Sequence, residues 1–320
     1  DVARVGIRLT EPMRAPGDAT GPESQLIQTL RRSAGLSGGP RKLNEKEASR
    51  LSRAVVERGD PARGEELYHS GELACLKCHA IGGAGGLVGP DLSSIGTTAQ
   101  LDYLIDSIFD PNKAVKENYH STTVVTKDGR VLTGIKLREA GSELILRDSE
   151  GRELPVRRDN IARRSMGGSL MPSGLTDSLT SDELRDLLRF LSEIGKIGNY
   201  SVGKTPFARR WRVLEKVPPG LGSAGELSPV SGPDDSNLQW VSSYSRVSGV
   251  LPLSQLQLDR DSPVSFAWCE LRVVAAGKIG IKPNSSKGLT IYLGGKKVFP
   301  RDESSPTVSL DLPVGVYPLL

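Results

Sequence analysis

Aromatic residues make up only 5% of this 320-residue chain, and it holds just three cysteines, three histidines and three methionines. So few cysteines exclude a disulfide-dense scaffold. No apolar run approaches the roughly 18 residues of a membrane span. The 42 Lys and Arg exceed the 38 Asp and Glu by only four, too small a margin for the footprint of a nucleic-acid binder. The chain opens at Asp1 with neither an initiator Met nor a charged-then-apolar leader, which reads as a mature form or an excised piece. The 36 glycines and 21 prolines speak against a long helical bundle. What remains is a turn-rich chain long enough for two or three domains.

The pattern changes character several times. Residues 1–60 read as a lead-in with short helices, one over 23–36 and another carrying Leu51, Val55 and Val56 behind an Asn44/Glu47 capping box. Asp60-Pro61 opens a further helix. Residues 98–108 and 180–195 also read as helices, the latter with Leu184, Leu187, Leu188 and Leu191 on one face. Between them, residues 119–158 predict a small antiparallel unit of four strands with turns at Asp128-Gly129, Ala140-Gly141 and Glu150-Gly151. A Gly/Ser/Lys/Pro linker covers 198–206. Residues 207–320 alternate apolar and polar positions as a β-sandwich does, with a last strand after Gly315 that Leu320 cuts short. The expected class is thus α+β and multidomain: a helical domain at 61–197 with an inserted antiparallel β unit, then an all-β sandwich.

Chemistry concentrates at Cys75-Leu76-Lys77-Cys78-His79, the C-x-x-C-H spacing of covalent c-type haem attachment. Two thiols on one tight helical turn can each add to a haem vinyl group, and the adjacent imidazole then reaches iron. A thioredoxin-like redox pair needs a βαβ context that is missing. A zinc site needs two more ligands, and only Cys269, His69 and His120 remain. A proximal histidine also needs an acceptor for its second ring N–H, and the Pro90 carbonyl in Gly89-Pro90-Asp91-Leu92 is the natural candidate. Met171, in Ser169-Leu170-Met171-Pro172 before the last helix, is placed to supply a thioether from the opposite face. Gly64, four residues before Tyr68, would let its helix cross that last helix near Leu187 and Phe190. Met166 rivals Met171 but lacks the following proline. His120 reads as a surface or propionate-side residue, Cys269 as a buried thiol, and Arg157, Arg158, Arg163 and Arg164 as either propionate partners or a solvated face.

These elements recur in an order that resembles the haem-binding cytochrome c domain of large planctomycete and verrucomicrobial proteins. The matching residues are Gly64, the Cys75–His79 motif, Ile81-Gly82-Gly83 through Gly89-Pro90-Asp91-Leu92, Ile95-Gly96, Asp110-Pro111, Asp128-Gly129 with Thr133-Gly134, and Ser169–Pro172. The resemblance spans about residues 45 to 197, and members of that family interrupt the cytochrome with a β-rich insertion. In the last domain, Gly288–Gly295 and Leu312-Pro313-Val314-Gly315 resemble the β-sandwich of anthrax protective-antigen type, similar to carbohydrate-binding modules in some settings.

The reading that follows is a monohaem cytochrome c domain, not an enzyme, that transfers single electrons. One haem c is held through Cys75 and Cys78, with His79 and Met171 as iron ligands. Its expected partners are redox donor and acceptor proteins, a dehydrogenase among them, with a carbohydrate for the last domain; no nucleic acid or membrane span is implied. Haem is attached on the export side of the cytoplasmic membrane, so the expected place is the periplasm or cell surface. The alternatives are a haem-based sensor, a peroxidase-like enzyme or a saccharide-binding adaptor.

Overall fold

The computed structural model describes residues 43–320 apart from 72, 204–206, 220, 222–231, 234, 254–255, 257, 260, 284–287 and 300–306. The expected lead-in at 1–22, a strand or loop, and the helix at 23–36 lie outside the described residues. The chain is mixed α+β, richer in sheet than in helix, and divides into two compact units between Val202 and Gly203.

In the first unit, α1 (Glu45–Arg58) starts where the sequence places it. Asn44 accepts from the Glu47 N–H at 3.0 Å, and the Glu47 carboxylate accepts from the Asn44 N–H at 3.0 Å. Helix α2 (Pro61–His69) is capped by Asp60, whose carboxylate accepts from the Ala62 and Arg63 N–H groups. A single turn, α3 (Cys75–Cys78), leads through a two-strand hairpin, β1 (Ala80–Ile81) and β2 (Ala84–Gly85), to α4 (Ile95–Thr98) and α5 (Leu101–Phe109). The helix expected at 98–108 is α5, which starts three residues later and buries Leu104, Ile105, Ile108 and Phe109; α4 is a separate short turn before it.

A five-stranded antiparallel sheet follows: β3 (His120–Thr126), β4 (Val131–Ala140), β5 (Glu143–Arg147), β6 (Glu153–Arg157) and β7 (Ile161–Ser169), in spatial order β6-β5-β4-β3-β7. Val124, Leu144, Leu146 and Val156 form its core, with Leu132, Leu154 and Ile161 packed beside them. Four of these strands match the sequence pattern. The fifth does not: β7 continues the sheet past residue 158 and pairs with β3 along its length. Its residues Ala162 to Gly168 are all exposed, so it carries no alternation for a pattern to reveal.

Helix α6 (Ser181–Glu193) closes the unit, capped by a Thr180/Glu183 box and burying Leu187, Leu188, Phe190 and Leu191. It crosses α2 at Gly64, where a β-carbon would stand 2.0 Å from the Asp186 carbonyl oxygen and 2.7 Å from Phe190 Cβ. No side chain fits at that spacing, and glycine there is a packing requirement. Asp186, 3% exposed, fixes the same crossing through its carboxylate. It accepts from the Asp60 N–H and from Arg63 Nε, each at 2.8 Å.

The second unit is all β. Strands β8 (Arg210–Leu214), β9 (Trp240–Tyr244), β10 (Ala267–Val273), β12 (Ile291–Leu293), β13 (Lys296–Phe299) and β15 (Gly315–Leu319) form one sheet in the order β13-β12-β15-β10-β8-β9. A ribbon of β11 (Gly277–Ile281) and β14 (Val308–Leu312) shares its core: Ile291, Leu293 and Val298 from the sheet pack with Val308, Ile281 and Leu310 from the ribbon. This is a sandwich-like arrangement. The strand after Gly315, expected to be cut short, is an interior one, paired with β10 from Gly315 to Leu319 and with β12 at Leu319. Cys269 is buried on β10, and burial pushes its thiol up to about 12.

Gly64→Ala should lower stability by about 2 kcal/mol, read from chemical denaturation. Burial alone would raise the Asp186 pKa, but Arg63, the Asp60 N–H and the Arg185 charge together hold it below the ordinary carboxylate value. Its contribution is therefore complete above the ordinary carboxylate pKa of about 3.9 and is lost as the pH falls through the lower folded value. Asp186→Asn should cost about 2 kcal/mol at neutral pH and flatten the acid limb of stability against pH.

Candidate functional site

The Cys75–Cys78 turn brings the two thiols and His79 onto one short segment, with the His79 N–H donating to the Cys75 carbonyl at 2.9 Å. Neither cysteine is in a disulfide. Burial pushes the Cys75 thiol up to about 12 and raises Cys78 as well, the latter with a push from Glu150. That direction is opposite to the one an activated redox pair requires.

The loop after the motif wraps back onto it through main-chain contacts. Gly86 N–H donates to Leu76 O and Gly89 N–H to Cys78 O, both at 2.7 Å, and Leu92 N–H donates to Ala80 O at 2.8 Å. A β-carbon on Gly86 would overlap the Lys77 carbonyl oxygen, at 1.8 Å. One on Gly89 would stand 2.4 Å from His79 Cε1, 2.7 Å from Nδ1 and 2.8 Å from Nε2. The two glycines form a cradle of bare backbone, Gly86 against the Cys75–Cys78 turn and Gly89 against the imidazole.

Within that cradle His79 Nδ1 lies 2.8 Å from the Pro90 carbonyl oxygen, 11 residues on. A carbonyl only accepts, so Nδ1 carries the proton and Nε2 keeps its lone pair. Burial lowers the His79 pKa, while the Pro90 carbonyl and the Asp91 charge pull it upward. A neutral imidazole with one nitrogen tied to a carbonyl is the form that ligates metal. On the other side, Tyr68 Oη donates to the His79 carbonyl at 3.1 Å, and the Tyr68 ring packs 5.6 Å from that of Phe190 on α6.

Met171 stands apart from this group, joined to it by no hydrogen bond. It is half-buried two residues beyond β7, and its N–H donates to Ser169 Oγ at 3.0 Å. The Ser169 N–H in turn donates to Asn112 Oδ1 at 2.9 Å. Met166 is 79% exposed on β7 opposite Thr122. His120 is exposed at the start of β3, with Nδ1 3.3 Å from the Gly167 carbonyl. His69, half-buried, meets the Tyr68 ring edge-on at 5.9 Å.

Arg157, Arg163 and Arg164 lie on strands of the sheet and Arg158 in the turn that joins β6 to β7, so none lies between the sheet and the Met171 loop. Arg157 pairs with Asp159, while Arg158 and Arg164 both pair with Glu139; Arg163 is exposed on β7. Among the described residues, no three His, Cys, Asp or Glu side chains gather closely enough to hold a metal ion.

Sequence reasoning did not identify Tyr68 as a partner of the His79 backbone, nor Arg147, whose Nη1 donates to the Leu87 carbonyl at 2.9 Å. The glycines at 85, 86 and 89 were a usable signal for the cradle. Arg147, 60 residues from Leu87, carried none. No protein-family model matches the chain, and no curated protein is found to be similar to it.

Gly89→Ala should displace the ring or the loop. The nitrogen-15 resonances of the wild-type His79 ring should report the single Nδ1–H tautomer, and Gly89→Ala a mixture of the two. A variant ring identical to wild type would show that the loop yields and the imidazole does not depend on it.

Proposed function

We propose that residues 45–197 are a monohaem cytochrome c domain, of class I type with the β3–β7 sheet inserted, and that the protein carries single electrons between redox partners. The observation that carries this reading is the Nδ1–H of His79 donating to the Pro90 carbonyl at 2.8 Å, directly after a Cys-x-x-Cys turn. It leaves Nε2 as the ligating atom and fixes the ring. The cradle of Gly86 and Gly89, two unpaired thiols on one turn and a neutral imidazole together fit a covalently held haem.

In this reading Cys75 and Cys78 would hold the haem as thioethers, and His79 and Met171 would serve as its iron ligands. When bound, the haem supplies a one-electron iron couple. The chain's residues set the terms of that couple. The Pro90 carbonyl makes the imidazole a stronger donor, which favours ferric iron, whereas the Met171 thioether favours ferrous iron. With His79 and Met171 both serving as ligands, little room would be left for oxygen to bind, which favours a carrier over an enzyme. Attachment of this kind takes place outside the cytoplasm, so the protein belongs in the periplasm or on the cell surface. Its partners are redox donor and acceptor proteins, and the second unit serves as a structural or saccharide-binding module.

Expressed with a c-type maturation system, the protein should keep its pigment through extraction with acidified organic solvent, and a Cys75→Ala/Cys78→Ala variant should release it. Pigment retained by the double variant would overturn the attachment site. Met171→Ala should abolish the thioether-to-iron charge-transfer band, lower the midpoint potential and let carbon monoxide bind quickly. The same substitution at Met166 should leave all three unchanged. Loss of the band at Met166 in place of Met171 would exchange their roles.

A further inference from the structure

We propose that Arg147, on the inserted sheet, is a positioning residue for His79: through the Leu87 carbonyl it holds the loop that presents the Pro90 carbonyl to the imidazole. The inference rests on the haem reading above and assigns the sheet a part in it.

Arg147 closes β5, and only 18% of its side chain is exposed. Its Nη1 donates to Leu87 O at 2.9 Å, while Nη2 lies 3.4 Å from Glu153 on the neighbouring strand β6. The backbone behind it is pinned as well, since a β-carbon on Gly134 of β4 would stand 2.4 Å from the Arg147 carbonyl oxygen. The guanidinium therefore projects from a fixed strand, with its fork divided between a carboxylate of the sheet and a carbonyl of the loop.

Leu87 sits at the centre of the cradle loop. Gly86, one residue before, bonds Leu76 O; Gly89, two residues after, bonds Cys78 O; and Pro90, three residues after, accepts from the His79 ring. The Leu87 side chain is 55% exposed while Val88 beside it is 3% exposed, so at Leu87 itself the carbonyl, not the side chain, is the anchored group. The β5–β6 turn lies beside the same stretch: a β-carbon on Gly151 would stand 4.0 Å from Val88 Cγ2. The hairpin thus meets the loop at the two residues between Gly86 and Gly89. Freed from the Arg147 bond, the loop loses one of its supports and the Nδ1–H···O bond lengthens.

Two effects of removing Arg147 have opposite signs. Loss of a cation from the domain that would hold the haem stabilises the ferric form and lowers the midpoint potential. Weakening of the His79–Pro90 bond makes the imidazole a poorer donor and raises it. Pairing the substitution with Glu153→Gln removes one charge of each sign and so isolates the second effect.

The experiment uses the full holoprotein with covalent haem verified. Arg147→Met/Glu153→Gln should shift the ferric–ferrous equilibrium toward ferrous by about threefold or more, and should move the hyperfine-shifted His79 ring protons. Arg147→Lys, which keeps one donor within reach of Leu87, should recover most of both. Arg138→Ala, which also removes a Glu153 contact but leaves Leu87 untouched, should not move the ring protons. The proposal is overturned if the charge-balanced double variant keeps wild-type potential and ring shifts, or if Arg138→Ala moves the ring protons as far. Thermal melts of the holoproteins accompany each variant; if the double variant fails to fold, Arg147→Gln decides by the ring protons, which it should move while Arg138→Ala, with the same loss of charge, leaves them in place. A wild-type protein without covalent haem would overturn the underlying reading instead, so the two failures are distinct.

Discussion

Backbone lying on backbone at the Cys75–His79 turn is the constraint on which the site depends. Three main-chain hydrogen bonds tie residues 86–92 to residues 76–80, at 2.7 to 2.8 Å. Where they meet there is no room for side chains. A ring held this way is positioned by groups whose freedom was spent on folding, so little further entropy is lost in orienting it. The helical frame reaches the same residue from the opposite side. Gly64 sets the crossing of α2 and α6, which brings Phe190 against Tyr68, and the Tyr68 hydroxyl reaches the His79 carbonyl. The Phe190 ring is also met edge-on by Tyr200, at 5.5 Å, so the aromatic contact extends to the end of the unit.

Electrostatics plays a smaller part in holding these elements. Most ion pairs of the inserted sheet are exposed, such as Arg130 with Asp128 and Arg157 with Asp159, and solvent screens pairs of that kind so that they contribute little. The sheet is held by Val124, Leu144, Leu146 and Val156, at most 3% exposed. Asp186 is the exception, because it is buried and serves two elements at once. Buried carboxylates depend on every partner they keep.

Much of this was legible because it rests on local rules. The Asn44/Glu47 box, the Asp60-Pro61 start and the apolar face of α6 need only near neighbours in the chain. The partnership of His79 with Pro90 was legible too, because the need of a metal-bound imidazole for an acceptor restricts the choice to a short downstream stretch. Strand β7 was not. Ala162-Arg163-Arg164-Ser165 and Gly167-Gly168 have little intrinsic strand preference, and the segment is extended because β3 offers it an open edge. The same holds for Arg147: a guanidinium on one strand and a carbonyl on a distant loop share no periodicity. Met171 remains the least legible residue, since its own contacts are local to Ser169.

The way the sheet joins the helices explains how so large an element can sit between His79 and Met171. Its first and last residues, His120 and Ser169, are paired across β3 and β7. Its two ends therefore leave the sheet side by side. Asn112, just beyond α5, takes the Ser169 N–H at 2.9 Å, and a β-carbon on Gly168 would overlap the same amide oxygen, at 2.0 Å. Seen from the helices, the path from Asn112 to Ser169 is closed as tightly as a short loop, whatever lies within it. Loop-closure entropy grows only slowly with length, and here the sheet's own ladder brings the ends together. An element attached in this way can be added without loosening the chain on either side. It can then gain contacts of its own, and the one from Arg147 to Leu87 falls on the loop that holds His79.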